Sequence, residues 1–364
     1  MNAHLHPPGM IDAHRWTRRL PALALVLLAL IVTACGGPGA SPVPTTSPAE
    51  LAPPLVKLPE DEGAHSAGVE WWYFNGHLTD ESKREYSFHF VTFQTRIADG
   101  ATGRLLQLSW GDHANGLYLT AEKAALATAE ATPGRFDFQD SGWRMSGDGT
   151  GYALSFDTGG YSLELQATSR KPAVLHQGTG LVKLGPAGNT FYYSRPRLDV
   201  SGTLTIDGQP LRVNGAAWMD HQWGEFTSRQ VGWDWMSIQL DDGSELMAAL
   251  VWDPDGHQPF ASYGTFITGD GAVRRLEEKD FRLTPAGSWT SPATGTVYPM
   301  GWDFSAGLLK LALTLTPVQQ DAEFTGSQYA PADYWEGAVS VEGTLKGAPV
   351  TGRGFVELVG YASP

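Results

Sequence analysis

The sequence has a single cysteine, Cys35, among its 364 residues, so the chain forms no internal disulfide and must be stable without one. Basic residues are also scarce, since 25 lysines and arginines stand against 39 aspartates and glutamates. A chain with this acidic excess lacks the positive surface that binds DNA or RNA. The composition therefore predicts no nucleic-acid partner.

Several motifs of cofactor and nucleophile chemistry are missing as well. The sequence contains no G-x-S-x-G, G-x-x-x-x-G-K-[ST], G-x-G-x-x-G or H-E-x-x-H segment. The histidines after the N-terminal leader show none of the usual metal-ligand spacings. We therefore expect no metal and no cofactor. A secreted hydrolase is disfavoured because no nucleophile with a base beside it is visible.

The one pronounced apolar run, residues 22–32, is too short to span a bilayer as a stable helix. It follows a basic stretch at residues 15–19 and ends shortly before Cys35, in the order V-T-A-C-G-G. This arrangement is typical of a bacterial lipoprotein signal. It predicts a signal peptide over residues 1–34 and lipid attachment at Cys35.

Residues 35–59 are rich in Pro, Ser, Thr, Gly and Ala, which predicts a flexible tether. Acyl chains on Cys35 would hold the protein on a membrane surface. We therefore expect an exported protein anchored to a bacterial membrane in the cell envelope, with the membrane and a membrane protein complex as possible partners. The alternative is an ordinary secretory signal with an incidental cysteine.

The remaining sequence repeats itself once. Residues 71–78 (WWYFNGHL) are echoed by residues 233–240 (WDWMSIQL), and both segments combine alternate aromatics with a leucine and a following acidic turn. Both halves also contain a V-x-G-T-L segment near their ends. A repeat of this length indicates two similar domains, which we predict over residues 60–228 and 229–364.

Apolar and polar residues alternate over most of both halves, and Asp-Gly turns separate the alternating runs. This pattern is typical of antiparallel hairpins. One weak helical window covers residues 121–130. The sequence therefore predicts an all-β protein whose halves are sandwiches or small barrels.

The two repeated segments each present a face that is both aromatic and polar. Alternation places Trp71, Tyr73 and His77 on one face of the first strand, and Trp233 with Trp235 on one face of the second. Such a mixture suits the wall of a ligand cavity. The alternative is that these side chains belong to the core, with their polar atoms satisfied by neighbours.

The densest polar cluster is residues 218–225 (WMDHQWGE). As a strand, it places His221 and Trp223 on one face and Asp220 on the other. An acid, an imidazole and indoles are costly to bury without a reason. The cluster therefore indicates either a proton-handling site or a polar contact between the two domains.

Three further acids are candidates. Asp253 ends an apolar strand and precedes a proline, so it is either a catalytic acid or a turn-initiating residue. Glu70 and Glu336 have aromatic neighbours in sequence, and desolvation there would raise their pKa values. Pairing with arginine is the alternative for both.

Five segments of the sequence resemble the carotenoid 1,2-hydratase family, which includes AttH-like, lipocalin-related members. These segments are residues 70–78, 191–194, 218–224, 334–337 and 354–361. The resemblance implies two tandem lipocalin-like antiparallel β-barrel domains. It also implies a cofactor-free activity that adds water to the terminal double bond of an acyclic carotenoid.

The resemblance further implies roles for individual residues. The family's His-x-Trp pair falls on His221 and Trp223, as water-activating base and cation-stabilising wall. Its proton-donating aspartate corresponds most nearly to Asp253, although the tyrosine expected two residues earlier is Val251 here. We assign Asp220 to orienting the loop.

Taken together, the sequence predicts a membrane-tethered lipoprotein that binds an elongated hydrophobic ligand, either an isoprenoid or a lipid. If it is an enzyme, we expect a cofactor-free hydro-lyase of the carotenoid hydratase type. The rival hypothesis is a non-catalytic lipid carrier, chaperone or scaffold beside a membrane complex. A secreted hydrolase is the third hypothesis.

Overall fold

The computed structural model describes residues 52–97, 101–127, 132–226, 231–253, 258–327 and 333–361. The predicted signal peptide, Cys35 and most of the predicted tether lie outside these residues. Among the helices that the structure describes, none has the length and apolar character of a membrane span.

Twelve antiparallel strands form the first sheet, in the order β4-β3-β2-β1-β12-β11-β8-β7-β6-β5, with β9 and β10 also pairing with β11. Their bounds are β1 (Val69–Asp80), β2 (Glu85–Arg96), β3 (Thr102–Asp112), β4 (Leu117–Ala127), β5 (Phe136–Asp140), β6 (Trp143–Gly147), β7 (Gly151–Thr158), β8 (Tyr161–Ser169), β9 (Val174–Leu175), β10 (Leu181–Lys183), β11 (Gly188–Ile206) and β12 (Gln209–Phe226).

The second sheet has ten strands in the order β16-β15-β14-β13-β24-β23-β21-β20-β17, with β22 beside β23, while β18 and β19 form a separate hairpin. Their bounds are β13 (Gly232–Leu240), β14 (Glu245–Asp253), β15 (Gln258–Ile267), β16 (Val273–Glu277), β17 (Arg282–Pro285), β18 (Ser288–Thr290), β19 (Val297–Pro299), β20 (Trp302–Ala306), β21 (Leu311–Pro317), β22 (Glu323–Phe324), β23 (Tyr334–Leu345) and β24 (Ala348–Val359).

The helical content of the described chain is confined to short 3₁₀ turns. They cover Glu60–Glu62, His176–Gly178, Gly185–Ala187, Glu278–Asp280 and Gly307–Leu309. The predicted helical window at 121–130 is wrong where it is described, because residues up to 127 belong to strand β4. Pairing with β3 along its whole length overrides the helix propensity of the alanines there.

The all-β, lipocalin-like fold class is confirmed: the first sheet curls into a nearly closed barrel and the second into a half-barrel. The central strand order β4-β3-β2-β1-β12-β11-β8-β7 has its counterpart in β16-β15-β14-β13-β24-β23-β21-β20. The predicted domain boundary at 228/229 falls between the two sheets, in residues outside the described ranges, and stays a prediction.

Buried apolar side chains form three clusters. One fills the first barrel and includes Trp72 and Phe74, and one fills the concave side of the second sheet and includes Trp335. The third lies between the two sheets and includes Tyr73 and Trp235. Because neighbouring residues of a strand point to opposite faces, β1 contributes alternate residues to its own barrel and to the region between the sheets.

Candidate functional site

The repeated aromatic strands face each other between the two sheets. Tyr73 on β1 and Trp235 on β13 meet edge to face, with ring centroids 5.4 Å apart and an interplanar angle of 81°. Trp71 lies two residues before Tyr73, and Trp233 two residues before Trp235, so all four side chains point toward the same space. The sequence repeat therefore brings two equivalent surfaces together.

These surfaces enclose a cavity of about 700 Å³, which is within the range of small-molecule sites. Its walls come from both sheets and are mainly apolar and aromatic. One end reaches the surface at Ile97, which is 44% exposed. The aromatic residues of the wall are Trp71, Tyr73, Phe93, Tyr192, Trp233, Trp235, Tyr263 and Tyr334.

Three carboxyl groups line the same cavity, and Glu336 on β23 is the most perturbed of them. It is 1% exposed, and the Tyr73 hydroxyl donates to its Oε1 at 2.7 Å. Among the described residues, its Oε2 has no hydrogen-bond partner. Burial, aided by the charge of nearby Glu357, raises the pKa of Glu336 well above its usual value despite the Tyr73 hydrogen bond. Burial therefore favours the protonated form of this side chain in the folded protein.

Glu357 on β24 is the second carboxyl group and lies directly opposite Glu336 in the strand pairing. Burial raises its pKa to about 7, with Asp220 adding to the rise and a hydrogen bond from Trp233 opposing it. Two carboxyl groups that face each other in one site do not both ionise easily. The charge of Glu357 therefore adds to the rise in the pKa of Glu336, and the pair favours a state that holds a shared proton.

Asp220 on β12 is the third carboxyl group, and both of its oxygens are bonded. The Tyr192 hydroxyl donates to Oδ2 and the Trp218 indole to Oδ1, each at 2.6 Å, and the Ser194 hydroxyl also donates to Oδ1. Burial raises the pKa of Asp220 to about 6, although these three donors oppose the rise. Because its acceptor sites are occupied, Asp220 orients the surrounding side chains rather than offering a free oxygen.

Hydrogen bonds between the two sheets fix this arrangement. The Asn75 amide donates to the Ser237 hydroxyl at 3.0 Å and to the Tyr73 hydroxyl at 3.2 Å. The Trp235 indole donates to the Tyr192 hydroxyl at 3.0 Å. Polar side chains from each half therefore hold the acids and aromatics of the other half in position.

Four of the five predicted ligand-binding residues, Trp71, Tyr73, Trp233 and Trp235, line the cavity. His77 lies on the same face of β1, but its Nε2 contacts the carbonyl oxygen of Gly354 at 3.1 Å. It is outside the cavity lining, and burial lowers its pKa to about 3. His77 therefore belongs to the contact between the sheets.

The four predicted catalytic residues do not come together. His221 and Trp223 point into the first barrel, where His221 stacks on Trp72 with ring centroids 4.4 Å apart. Asp220 points the other way, into the cavity. Asp253 ends β14 in an exposed position outside the cavity lining. The assigned roles require His221 and Asp253 to meet in one cavity. This assignment is wrong, because His221 points into the first barrel and Asp253 lies beyond the buried part of its strand.

For Glu70 and Glu336 the alternative of pairing with arginine is wrong. The predicted rise in the pKa of Glu70 is also wrong, because burial raises this pKa but the hydrogen bonds from His221 and His65 lower it by more. Glu336 is bonded to Tyr73, and Glu70 accepts from two imidazoles, His65 and His221, at 2.7 and 2.8 Å. Although no sequence spacing predicts it, these two histidines and Glu70 form a group that could hold a metal ion. Glu357 was not predicted as a site residue; the only signal was its position equivalent to Asp220 in the repeat.

Comparisons with known proteins identify relatives of this fold. The AttH-like family model matches residues 49–361. An AttH-type protein of Nitrosomonas europaea is 29% identical, and the match covers 86% of this chain and 100% of that chain with a TM-score of 0.76. The comparison with curated proteins found no match.

Two more distant structures share the fold. Kievitone hydratase from Nectria haematococca is 19% identical, and the match covers 84% of this chain and 93% of that chain with a TM-score of 0.71. CghA, solved with Sch210972, is 15% identical, and the match covers 82% of this chain and 89% of that chain with a TM-score of 0.53.

Proposed function

The chain belongs to the AttH-like family, and on that basis we propose that it is a cofactor-free hydratase that adds water to a double bond of an elongated apolar molecule. The observation that carries this proposal is the position of Glu336, whose Oε2 is buried in the aromatic cavity between the sheets and has no hydrogen-bond partner among the described residues. The distant hydratase relative supports the fold, whereas the reaction is argued from the groups of the cavity.

Glu336 is the proposed acid. Addition of water to an isolated alkene begins with transfer of a proton to one of the two carbons, which requires a donor that is held in its protonated form in a dry site. Burial raises the pKa of Glu336 and so favours its protonated form, and Tyr73 fixes the orientation of its carboxyl group by donating to Oε1. A proton on Oε2 has no competing acceptor among the described residues.

The aromatic walls are suited to the cation that this transfer produces. Protonation of one alkene carbon leaves a positive charge on the other, and the faces of Trp and Tyr rings stabilise a desolvated cation within about 6 Å of the ring centroid. Trp71, Trp233 and Trp235 lie in the same cavity as the acid. An apolar polyene or isoprenoid chain would bury its length against these rings.

Glu357 is the proposed base. A water molecule attacks the cation through its oxygen, and Glu357 takes the proton that this water loses as the new C–O bond forms. With a pKa of about 7, Glu357 is ionised in a large fraction of molecules at neutral pH. Proton return from Glu357 to Glu336, directly or through water, would restore the starting state, so the reaction needs no cofactor.

The proposed membrane anchor rests on the leader sequence and Cys35. An apolar substrate partitions into membranes, so a tether of the length of residues 35–59 would keep the cavity close to it. Replacing Cys35 with Ser should release the protein from the membrane fraction. Retention of Cys35→Ser in that fraction would contradict lipidation at this residue.

The test of hydration uses purified protein, acyclic isoprenoid polyenes and water labelled with ¹⁸O. We expect a product that has gained one labelled hydroxyl group, detected by mass spectrometry after extraction. Glu336→Gln should lower the rate by roughly 10²- to 10⁴-fold, since general acid catalysis typically contributes that much. Polyene binding, followed by tryptophan fluorescence quenching, should persist in this variant.

The matched control is Glu323→Gln. Glu323 is also a buried glutamate, but it accepts hydrogen bonds from Ser291, Thr294 and Tyr298. It lies opposite Trp335 in the strand pairing, on the face of β23 that points away from the cavity. Its substitution should lower thermal stability and leave the rate per folded molecule unchanged. A polyene that binds without gaining label in the wild-type protein would overturn hydration for that compound class and favour a carrier.

A further inference from the structure

A second polar group lies inside the first barrel, on the opposite face of β1 and β12 from the cavity. It consists of His65, Glu70 and His221. Glu70 Oε1 is 2.7 Å from His65 Nδ1 and 2.8 Å from His221 Nε2. One donor atom from each of the three residues lies within 4.8 Å of the other two. The hydratase proposal uses none of these side chains.

Each of the three side chains is oriented by a further contact. The remaining nitrogen of His221, Nδ1, lies 3.2 Å from the Tyr193 hydroxyl, and that of His65, Nε2, lies 3.4 Å from Asp61 Oδ1. Glu70 Oε2 accepts from the backbone N–H of His65 at 2.8 Å. Metal-binding histidines characteristically have their other nitrogen held by such an oxygen, which fixes the ring for ligation.

The surroundings of the group are rigid and partly open. The His65 ring stacks on Trp223 with centroids 4.0 Å apart and an interplanar angle of 3°. The side chains of Glu70 and His221 are 1% and 0% exposed, whereas that of His65 is 23% exposed. An ion could therefore enter from the side of His65.

We propose that His65, Glu70 and His221 form a binding site for a divalent transition metal ion, with Zn²⁺ as the ion whose ligand chemistry fits best. Two imidazoles and one carboxylate are a donor set that Zn²⁺ uses when a fourth position is left open to water or another ligand. Donors about 2.1 Å from a tetrahedral Zn²⁺ lie about 3.4 Å apart, so the side chains must separate by some tenths of an ångström.

That adjustment is chemically balanced. Zn²⁺ takes the place of the two N–H groups that now donate hydrogen bonds to Glu70. Each neutral imidazole then carries its proton on its other nitrogen. Those nitrogens face oxygen atoms of Asp61 and Tyr193 that can accept it. Hydrogen bonds lost inside the triangle are thus replaced by bonds on its outside. The site is independent of the proposed hydration, whose acids lie on the other side of the barrel wall.

The experiment titrates chelator-treated, full-length protein with Zn²⁺ alone and with Co²⁺ alone. We expect one equivalent of Zn²⁺ bound at micromolar or lower concentration, an increase in Tm on binding, and visible absorption bands from Co²⁺ in a site of low coordination number. His65→Asn should abolish the bands and the increase in Tm. Since His65 is partly exposed, this variant should keep the fold, which circular dichroism would check.

Two further variants complete the design. Glu70→Gln should weaken binding at least tenfold, whereas His113→Gln, which removes a histidine outside the group, should bind like the wild-type protein. Lack of saturable binding would overturn the proposal, and so would bands that survive His65→Asn. The latter result would place the ion elsewhere on the chain, for example on histidines of the leader.

Discussion

At the scale of single residues, the pKa of Glu357 links the site to stability. Its pKa in the folded protein is about 7, against an ordinary value of 4.5. A carboxyl group whose pKa is raised by folding favours the folded state below its ordinary pKa, and this contribution is lost as the pH rises through the folded-state value. Glu336 and Asp220 are buried carboxyl groups that face Glu357. Their pKa values are also raised, so their ionisation affects stability in the same direction.

We therefore predict that Glu357→Gln is more stable than the wild-type protein at pH 8, by on the order of 3 kcal/mol. Near pH 4.5 the two proteins should differ little in stability, because Glu357 is then protonated in nearly all folded molecules and in about half of the unfolded ones. Urea unfolding at several pH values measures the difference. A difference that stays constant between pH 4.5 and pH 8 would show that ionisation of Glu357 is not its cause.

The sequence identified individual site residues where alternation alone decides the result. Trp71, Tyr73, Trp233 and Trp235 could be assigned to the cavity because each strand has one aromatic and polar face. The prediction that His221 and Asp253 act at one site was wrong. It depends on distances between strands, and local periodicity gives no information about them. The raised pKa of Glu336 could be predicted from its aromatic neighbours in sequence, but its hydrogen-bond partner Tyr73 could not, since Tyr73 comes from the other sheet.

At the scale of strands, two equivalent glycines permit the backbone of a neighbouring strand to approach closely. A Cβ atom on Gly202 of β11 would lie 2.1 Å from the carbonyl oxygen of Glu164, and one on Gly343 of β23 would lie 2.0 Å from that of Ala312. These are the glycines of the repeated V-x-G-T-L segment. The repeat therefore preserves a backbone contact at the same place in both sheets.

We predict that Gly202→Ala and Gly343→Ala each destabilise the protein by about 1 to 3 kcal/mol, since the added methyl group has to displace backbone. Gly307→Ala is the matched control, because a Cβ atom there meets nothing within 4 Å and its φ angle is not positive. Thermal unfolding of the three variants gives the comparison. Equal stability of all three would contradict the role of close approach.

The strand order could be inferred only in part from the sequence. The repeat implied two similar units, and the two sheets do share their central strand order. The segment around residues 121–127 was misread because alanine and glutamate favour helices locally, whereas pairing with β3 decides the structure of β4. The near closure of the first barrel and the half-barrel form of the second sheet depend on pairing between strands that are distant in sequence. No local pattern encodes this pairing.

At the scale of the whole molecule, ion pairs of two kinds join the halves. Glu245 on β14 is fully buried and contacts Lys171 Nζ at 2.7 Å and Arg197 Nε at 2.6 Å. Glu85 on β2 pairs with Arg353 on β24, but both side chains are about half exposed. The two interactions cross the same interface in different surroundings.

We predict that Glu245→Gln lowers the free energy of unfolding by about 3 to 5 kcal/mol, because two cations then lose their buried counter-charge. Glu85→Gln should cost less than about 1 kcal/mol, as exposed pairs do. Chemical denaturation measures both values. A similar, small loss for both variants would mean that the buried pair contributes little to holding the halves together.

The site between the sheets has equivalent strands on its two sides but different side chains at equivalent positions, such as Asp220 and Glu357, or Tyr73 and Trp235. Two identical chains associating in this way would present identical acids with identical proton affinities. A single chain that contains both halves is free of that constraint, so equivalent positions can carry acids in different surroundings. Asp220 accepts three hydrogen bonds, whereas Glu357 faces Glu336. The duplicated architecture thereby allows an asymmetric site between equivalent strands.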